Sequence, residues 1–225
     1  MTRVICLAAI LLLIGNGAFS QENECFRKTY FGAAEICLPE IEGYNECYDY
    51  PVVKQMADGT EAPTNMVLGF YLNDEIYGKK DSLGLIGFDD YFKIYGTKQI
   101  KDYKADNAML KQMKDVLAGN FVSKNWDLMQ KEIDKVGLDM EIGVPTVIKA
   151  YNHNDESFTY VMLTKYKMDG YEPYTMAMSI NGLLLNERLV WMAYYLLYED
   201  ENTILRIQKS TNKIIDQLLQ AENGA

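Results

Sequence analysis

The most constraining feature of this chain is an unbroken apolar run at residues 189–198, LVWMAYYLLY. The run does not alternate between apolar and polar side chains, so a strand formed by it has to be covered on both faces. An acidic break at 199–201 follows, and beyond it apolar side chains recur at helical spacing as far as Leu219. We therefore predict a central buried strand that leads into a closing helix, with the acidic residues at the helix amino terminus.

Three extended runs before this strand predict an antiparallel meander, because they follow one another with short polar connections. The runs span residues 141–151, 157–166 and 173–185, with turns at 152–156 and 167–170. For the last turn, Asn181-Gly182 is the stronger hairpin signal, whereas Asn186-Glu187 gives better-matched strands. We prefer Asn186-Glu187, which leaves Gly182 inside a strand as a bulge or a site of close approach.

The first half of the chain predicts shorter strands and two amphipathic helices. The expected strands lie at residues 35–39, 65–72 and 89–95, a helical turn near 52–57, a loop at 78–87, and the helices at 104–118 and 123–136. In both helices apolar side chains recur every three or four residues, and Gly119 and Gly137 stand where the helices should stop. We predict an α+β fold, in which a central, mostly antiparallel sheet is covered by helices on both faces.

The amino terminus has the pattern of a secretory signal peptide. A short basic start precedes an apolar run at residues 4–14, which is too short to span a bilayer. Ala18 and Ser20 are small residues of the kind that a signal peptidase requires. We therefore expect residues 1–20 to be a cleaved signal peptide and residues 21–225 to form a single α+β domain. The mature protein would be periplasmic or secreted, with no membrane span after signal cleavage.

The composition excludes several function classes. The chain has 22 Lys and Arg against 32 Asp and Glu, a net charge of −10, and so repels phosphate backbones and anionic lipid headgroups. It has no basic stripe with interleaved aromatic residues, so we expect no nucleic-acid partner. It also lacks a Cys-x-x-Cys motif, a His-rich metal motif and a phosphate-binding glycine loop, so we expect no cofactor.

Three cysteines remain after removal of the signal segment, at positions 25, 37 and 47. In an oxidising compartment this number predicts one disulfide and one free thiol. We favour the pair Cys37 and Cys47, because Pro39 and Gly43 allow the intervening segment to turn back. The pairs Cys25–Cys37 and Cys25–Cys47 remain open.

The candidates for catalysis are few. The single histidine, His153, lies in the polar turn 152–156, where an exposed turn residue is a better interpretation than a catalytic base or a calcium loop. The acidic residues at 199–201 could serve as acid and base, but their position fits a helix amino terminus. We therefore identify no catalytic and no metal-binding residue.

The 17 tyrosines are more than one core needs. Tyrosine combines a rigid apolar ring with a polar tip and is therefore common at binding sites. The simpler explanation is that tyrosines line strand edges and core margins, which suits their strand propensity. The residues that we expect to line a ligand groove are Tyr91, Tyr95, Tyr160 and Tyr166.

The order of elements resembles the PsbP-like fold, and more closely uncharacterised exported bacterial proteins of that shape. The segments that carry the resemblance are Ile36-Cys37-Leu38-Pro39, Glu46-Cys47, Asp89-Asp90-Tyr91-Phe92, Arg188-Leu189-Val190-Trp191 and Gln220-Ala221-Glu222-Asn223. PsbP-like folds are mostly binding or assembly modules, so the resemblance implies an α/β/α sandwich and a function other than catalysis.

Three functions follow from these observations. The first is a secreted or periplasmic, non-enzymatic binding or assembly module, whose partner is an unknown protein or small molecule. The alternatives are a structural envelope protein without a small ligand, and an exported hydrolase that uses carboxylates.

Overall fold

The computed structural model describes residues 25–80, 88–118, 124–134, 140–168 and 170–224. The expected signal segment at 1–20 and the expected helix stops at Gly119 and Gly137 lie outside these ranges. In the described ranges the strands are β1 (Arg27–Phe31), β2 (Ala34–Leu38), β3 (Tyr44–Glu46), β4 (Asn65–Asn73), β5 (Asp90–Thr97), β6 (Met140–Ile142), β7 (Thr146–Tyr151), β8 (Ser157–Met168), β9 (Tyr174–Leu185) and β10 (Arg188–Leu197). The helices there are α1 (Pro51–Gly59), α2 (Asp74–Gly78), α3 (Asn107–Ala118), α4 (Trp126–Asp134) and α5 (Glu201–Gly224), with a 3₁₀ turn at Lys98–Ile100.

The apolar run forms β10, which lies in the middle of the large sheet, as its lack of alternation predicts. Among the described residues, eight strands form this sheet in the order β3-β4-β5-β10-β9-β8-β6, and β7 also pairs with β8. All of their pairings are antiparallel. β1 and β2 form a separate hairpin. The α+β prediction with a large antiparallel sheet is confirmed.

The closing helix α5 packs along the sheet through the apolar residues that its spacing predicts. Ile207, Ile214 and Leu218 are buried in one cluster with Val190 and Met192 of β10. Asp200 begins the helix, since its Oδ1 accepts hydrogen bonds from the backbone N–H groups of the second and third residues after it, at 2.8 and 3.3 Å. The interpretation of the acidic break as a helix start is therefore correct.

Smaller clusters form beneath the other helices. Val53 and Ala57 of α1 pack on Phe70 of β4. Leu110 of α3 packs with Tyr160 and its neighbours on β8, in a cluster separate from that of α5. No described helix is both long and apolar enough to cross a membrane.

The segment 141–151, expected as one strand, is interrupted. β6 and β7 both pair with β8, and the residues between them, Gly143 to Pro145, lie outside the two strands. Proline has no N–H to donate to the ladder, which accounts for the break. Asn73, at the end of β4, caps the short helix α2 by accepting a hydrogen bond from the N–H of Ile76.

The favoured cysteine pair is wrong. The structure pairs Cys25 with Cys37, with Cα atoms 5.4 Å apart, and leaves Cys47 buried as a free thiol. The physical reason is the β1–β2 hairpin, which returns the chain so that β2 lies beside the segment that starts at Cys25. Cys47 lies instead against β4, where its Sγ is 3.4 Å from the carbonyl oxygen of Phe70.

The last hairpin turns at Asn186-Glu187, as preferred. Both residues have positive φ, 44° and 57°, which a two-residue turn between twisted strands requires. β9 continues through Gly182 without a register shift, so Gly182 does not form a bulge. The other prediction for this residue, a site of close approach, is confirmed. A Cβ at Gly182 would overlap the ring of Phe158 on β8.

Gly182→Ala is therefore expected to lower the free energy of unfolding by about 1–3 kcal/mol, because the new methyl group has to displace the buried Phe158 ring. Urea unfolding of the variant and the parent measures the difference. Gly59→Ala is the matched control, since no atom lies within 4 Å of a Cβ at that position. An equal stability of Gly182→Ala and the parent would show that the ring moves at no cost.

Candidate functional site

Tyrosines from neighbouring strands stack side by side on the sheet. Tyr91 of β5 and Tyr195 of β10 are direct cross-strand partners, and their rings are nearly parallel with centroids 4.7 Å apart. Phe70 of β4 stacks on the far side of Tyr91 at 5.3 Å. Such cross-strand aromatic pairs stabilise a sheet and hold each ring in one orientation.

The stacking continues towards β8 and β9. Met178 is the cross-strand partner of Tyr195, and its sulfur lies 3.4 Å from the hydroxyl of Tyr166. The Tyr166 ring stacks on that of Tyr174 at 5.5 Å. We call this continuous set the aromatic row: Phe70, Tyr91, Tyr195, Met178, Tyr166 and Tyr174. It spans five strands, and all of its members except Phe70 are half-buried.

The hydroxyl groups of the row remain neutral. Burial raises the pKa of Tyr91 and of Tyr195 well above the ordinary value, and the neighbouring tyrosines raise it further. The pKa of Tyr166 is raised mainly by burial and then by Tyr195 and Tyr174. Near neutral pH these hydroxyls are therefore protonated donors.

Tyr95 lies beside the row, next to an ion pair that is nearly enclosed by protein. Lys93 Nζ is 2.5 Å from Glu61 Oε2, and the two side chains are only 12% and 9% exposed. The same ammonium group lies 5.4 Å from the Tyr95 ring centroid. Glu61 Oε1 accepts from the N–H of Ala62 and from Asn65 Nδ2, so the carboxylate has a fixed position.

The four tyrosines expected to line one groove do not all come together. Tyr91 and Tyr166 belong to the row and Tyr95 lies beside it, but Tyr160 is buried beneath α3. Its hydroxyl donates to the carbonyl oxygen of Lys114 at 2.6 Å, and burial raises its pKa to about 12. Tyr160 is therefore a core residue, and its assignment to the groove is wrong.

Tyr195 and Tyr174 complete the row, and neither was in the predicted groove. Within the run 189–198 the sequence does not show which side chains lie on the same face of the sheet, because apolar residues occupy both faces. The adjacent Tyr194 points the other way, where its hydroxyl is 2.9 Å from that of Tyr44, which also donates to Asp90. The register with Tyr91 is the signal that separates Tyr195 from Tyr194.

A concave feature lies at the end of the sheet, near the β9–β10 turn. It is a cleft of about 670 Å³ with Leu184 and Leu219 among its lining residues. Carboxylates reach it from four separate parts of the chain, namely Asp106, Glu156, Glu187 and Glu222.

The carboxylates of this cleft differ in their surroundings. Glu187 is exposed and paired with Lys104, which lowers its pKa. Burial raises the pKa of Glu222, although a hydrogen bond from the backbone N–H of Cys37 opposes the shift. Asp106 accepts from the N–H of Met109 at the start of α3. The cleft therefore has a partly apolar surface that is surrounded by acidic side chains.

The remaining chemical candidates have structural partners. His153 Nε2 lies 2.7 Å from Asp216 Oδ1, which ties the β7–β8 turn to α5. His153 is half-buried, so its interpretation as a simply exposed turn residue was incomplete. Across the described residues, no group of three or more His, Cys, Asp or Glu side chains could hold a metal ion.

Among known proteins, similarity was found to solved structures. No family model matches the chain, and no curated protein matches it. The crystal structure of the Ran-binding protein Mog1p from Saccharomyces cerevisiae is 11% identical, and the alignment covers 87% of this chain and 92% of Mog1p. The TM-score of that alignment is 0.27.

Proposed function

We propose that this chain is an exported, non-enzymatic binding or assembly module, and that its ligand binds along the aromatic row. The observation that carries the proposal is the continuous stack of Tyr91, Tyr195 and their neighbours across five strands. Stacked rings are rigid, so little side-chain entropy is lost when a ligand binds them. Their neutral hydroxyls can donate hydrogen bonds to sugar hydroxyls or to peptide carbonyls.

Export and the α/β/α arrangement are parts of the same proposal. The disulfide between Cys25 and Cys37 supports export, because such bonds persist in oxidising compartments. The signal pattern at residues 1–20 points the same way. Alternate residues of β8 belong to two separate hydrophobic clusters, one under α5 and one under α3. This arrangement supports a PsbP-like sandwich.

The acidic cleft is a second candidate site for the same function. Its volume of about 670 Å³ is that of a small-molecule pocket. Glu187 is already paired with Lys104, and the carboxylates of Asp106, Glu156 and Glu222 favour a ligand with a positive charge. A linear alkyl amine would place methylene groups against Leu184 and Leu219 and its ammonium groups near the carboxylates. This candidate and the aromatic row predict different ligands.

The test is a ligand screen on the mature chain, residues 21–225, with neutral oligosaccharides, peptides, lipids and linear polyamines. For a ligand of the aromatic row, Tyr91→Phe and Tyr195→Phe are each expected to raise the Kd about tenfold, because each removes one hydrogen-bonding hydroxyl. The control is Tyr103→Phe, whose side chain is exposed away from the row. Isothermal titration calorimetry measures the affinities.

The same screen separates the alternatives. For a ligand of the cleft, Glu156→Gln with Glu222→Gln weakens binding, whereas the exposed control Glu172→Gln does not. Binding unaffected by either set of variants would contradict both sites. A complete lack of ligands would favour a structural envelope protein, and turnover in an esterase, glycosidase and peptidase panel would favour the hydrolase.

A further inference from the structure

A row of polar side chains crosses the sheet beneath α5, on the side away from the aromatic row. Tyr151 of β7 pairs with Thr159 of β8, and Thr159 pairs with Asn181 of β9. Thr159 and Asn181 are 0% exposed. The Tyr151 hydroxyl donates to Asn212 of α5 at 2.9 Å, so the row lies directly against that helix.

Two buried oxygen atoms in this row, Thr159 Oγ1 and Asn181 Oδ1, make no hydrogen bond of normal distance and angle among the described residues. The Thr159 hydroxyl nevertheless lies close enough to that of Tyr151 to act on it, since burial raises the pKa of Tyr151 and Thr159 lowers it. A buried polar atom without a partner costs about 1–3 kcal/mol, so native proteins rarely retain two next to each other. Thr159 and Asn181 are cross-strand partners, and side chains in that relation have Cβ atoms about 5 Å apart. Both unpaired oxygens therefore belong to one small region.

The orientation of the Asn181 amide group is determined by its surroundings. Its Nδ2 atom donates to the carbonyl oxygen of Met192 at 3.0 Å and lies 3.2 Å from Ser179 Oγ. Ser179 Oγ is itself 2.7 Å from Thr211 Oγ1 of α5. Rotating the amide by half a turn would place Oδ1 against the Met192 carbonyl, so Oδ1 has to face away from it.

We propose that an ordered internal water molecule binds here, between β7, β8, β9 and α5. The water accepts the hydroxyl proton of Thr159 and donates one hydrogen bond to Asn181 Oδ1. Its second proton is directed to the hydroxyl oxygen of Tyr151, which is adjacent to Thr159 in the sheet. Three polar partners are the usual number for a buried water. The site joins an edge strand, the sheet interior and the closing helix, and it is independent of the proposed ligand sites.

The chain contains a matched control for this inference. Thr164 also lies on β8, is 1% exposed and has an unpaired Oγ1, but it points to the other side of the sheet. Its cross-strand partner on β9 is Met176, which offers no hydrogen-bonding oxygen. Valine has nearly the shape of threonine, so Thr→Val at the two positions removes only a hydroxyl group from each.

Thr159→Val is expected to lower the Tm by about 2–4 °C, because it takes a partner from the water and leaves Asn181 Oδ1 less well satisfied. Thr164→Val is expected to leave the Tm unchanged or raise it, since it removes an unpaired buried hydroxyl. Differential scanning calorimetry measures both. If the two variants behave alike, the proposal is wrong.

A crystal structure of the mature parent protein tests the site without relying on either variant. The expected result is a water peak within hydrogen-bond distance of both Thr159 Oγ1 and Asn181 Oδ1. A direct hydrogen bond between these two atoms, with no water peak between them, would overturn the proposal, even if Thr159→Val is destabilising.

Discussion

Glu46→Ala is expected to lower the free energy of unfolding by about 3–5 kcal/mol, because it leaves a partly buried arginine charge without its partner. Glu46 is 3% exposed, and its carboxylate receives Arg27 Nε at 2.8 Å and Nη2 at 3.0 Å. It also accepts from the backbone N–H of Phe70 at 3.1 Å. The substitution therefore removes the ion pair between β1 and β3, whereas Arg27 Nη2 can keep its hydrogen bond to the carbonyl oxygen of Leu68 on β4. Urea unfolding monitored by circular dichroism measures the loss.

The matched control is Glu75→Ala, which breaks the exposed pair of Glu75 with Lys79 in α2. Exposed pairs of this spacing contribute about 0.3–0.5 kcal/mol, so the control should be almost neutral. Replacing both charges, as in Arg27→Met with Glu46→Leu, is expected to recover part of the stability, because no buried charge is then left alone. If Glu46→Ala and Glu75→Ala lower the free energy of unfolding by the same amount, the expected stabilisation by the buried ion pair is wrong.

Loss of the Cys25–Cys37 disulfide is expected to destabilise the protein by about 3 kcal/mol. The bond joins residues 12 positions apart. For a loop of this size the chain-entropy estimate of the stabilisation is about 3 kcal/mol, because the bond restricts the unfolded chain. Cys25→Ser, or reduction with a phosphine, should produce the loss in thermal or urea unfolding. The β1–β2 hairpin that the bond closes should then become the most protease-sensitive part of the described chain.

Cys47 provides the internal control for the disulfide assignment. Burial raises the pKa of its thiol from 9.0 to about 12, so almost no reactive thiolate is present near neutral pH in the folded protein. This raised pKa adds to stability below pH 9, and the contribution is lost as the pH rises towards 12. Alkylation of the native mature chain, residues 21–225, should therefore label no cysteine, and alkylation after unfolding should label Cys47 alone. A peptide that links Cys37 to Cys47 would refute the pairing.

Much of the secondary structure could be predicted from the sequence because its signals are local, whereas the short strands β1 and β3 were not predicted. β10 and α5 were recognised from the run 189–198 and from the helical spacing that follows it. Asn186-Glu187 was chosen from strand lengths, and Gly182 was recognised as a site of close approach. These predictions depend on periodicity, on turn chemistry and on the size of a side chain, all of which are properties of neighbouring residues.

The candidate site was predicted only in part, because a strand pattern gives the alternation of side chains but not their register with other strands. Tyr91 and Tyr166 were recognised by residue type, whereas Tyr160 was assigned to a groove although α3 covers it. Tyr195 could be separated from Tyr194 only by its pairing with Tyr91.

The sequence by itself therefore determined most of the strands and helices, though not β1, β3 or α2, and that one strand lies at the centre of a sheet. The tertiary structure decided which cysteines pair, which tyrosines stack and which buried charges meet. Cys25 reaches Cys37 through the β1–β2 hairpin, and Arg27 reaches Glu46 across 19 positions of the chain. The physical reason is that these contacts join segments whose relative position is set by packing and strand register, neither of which is encoded in the local pattern of either segment.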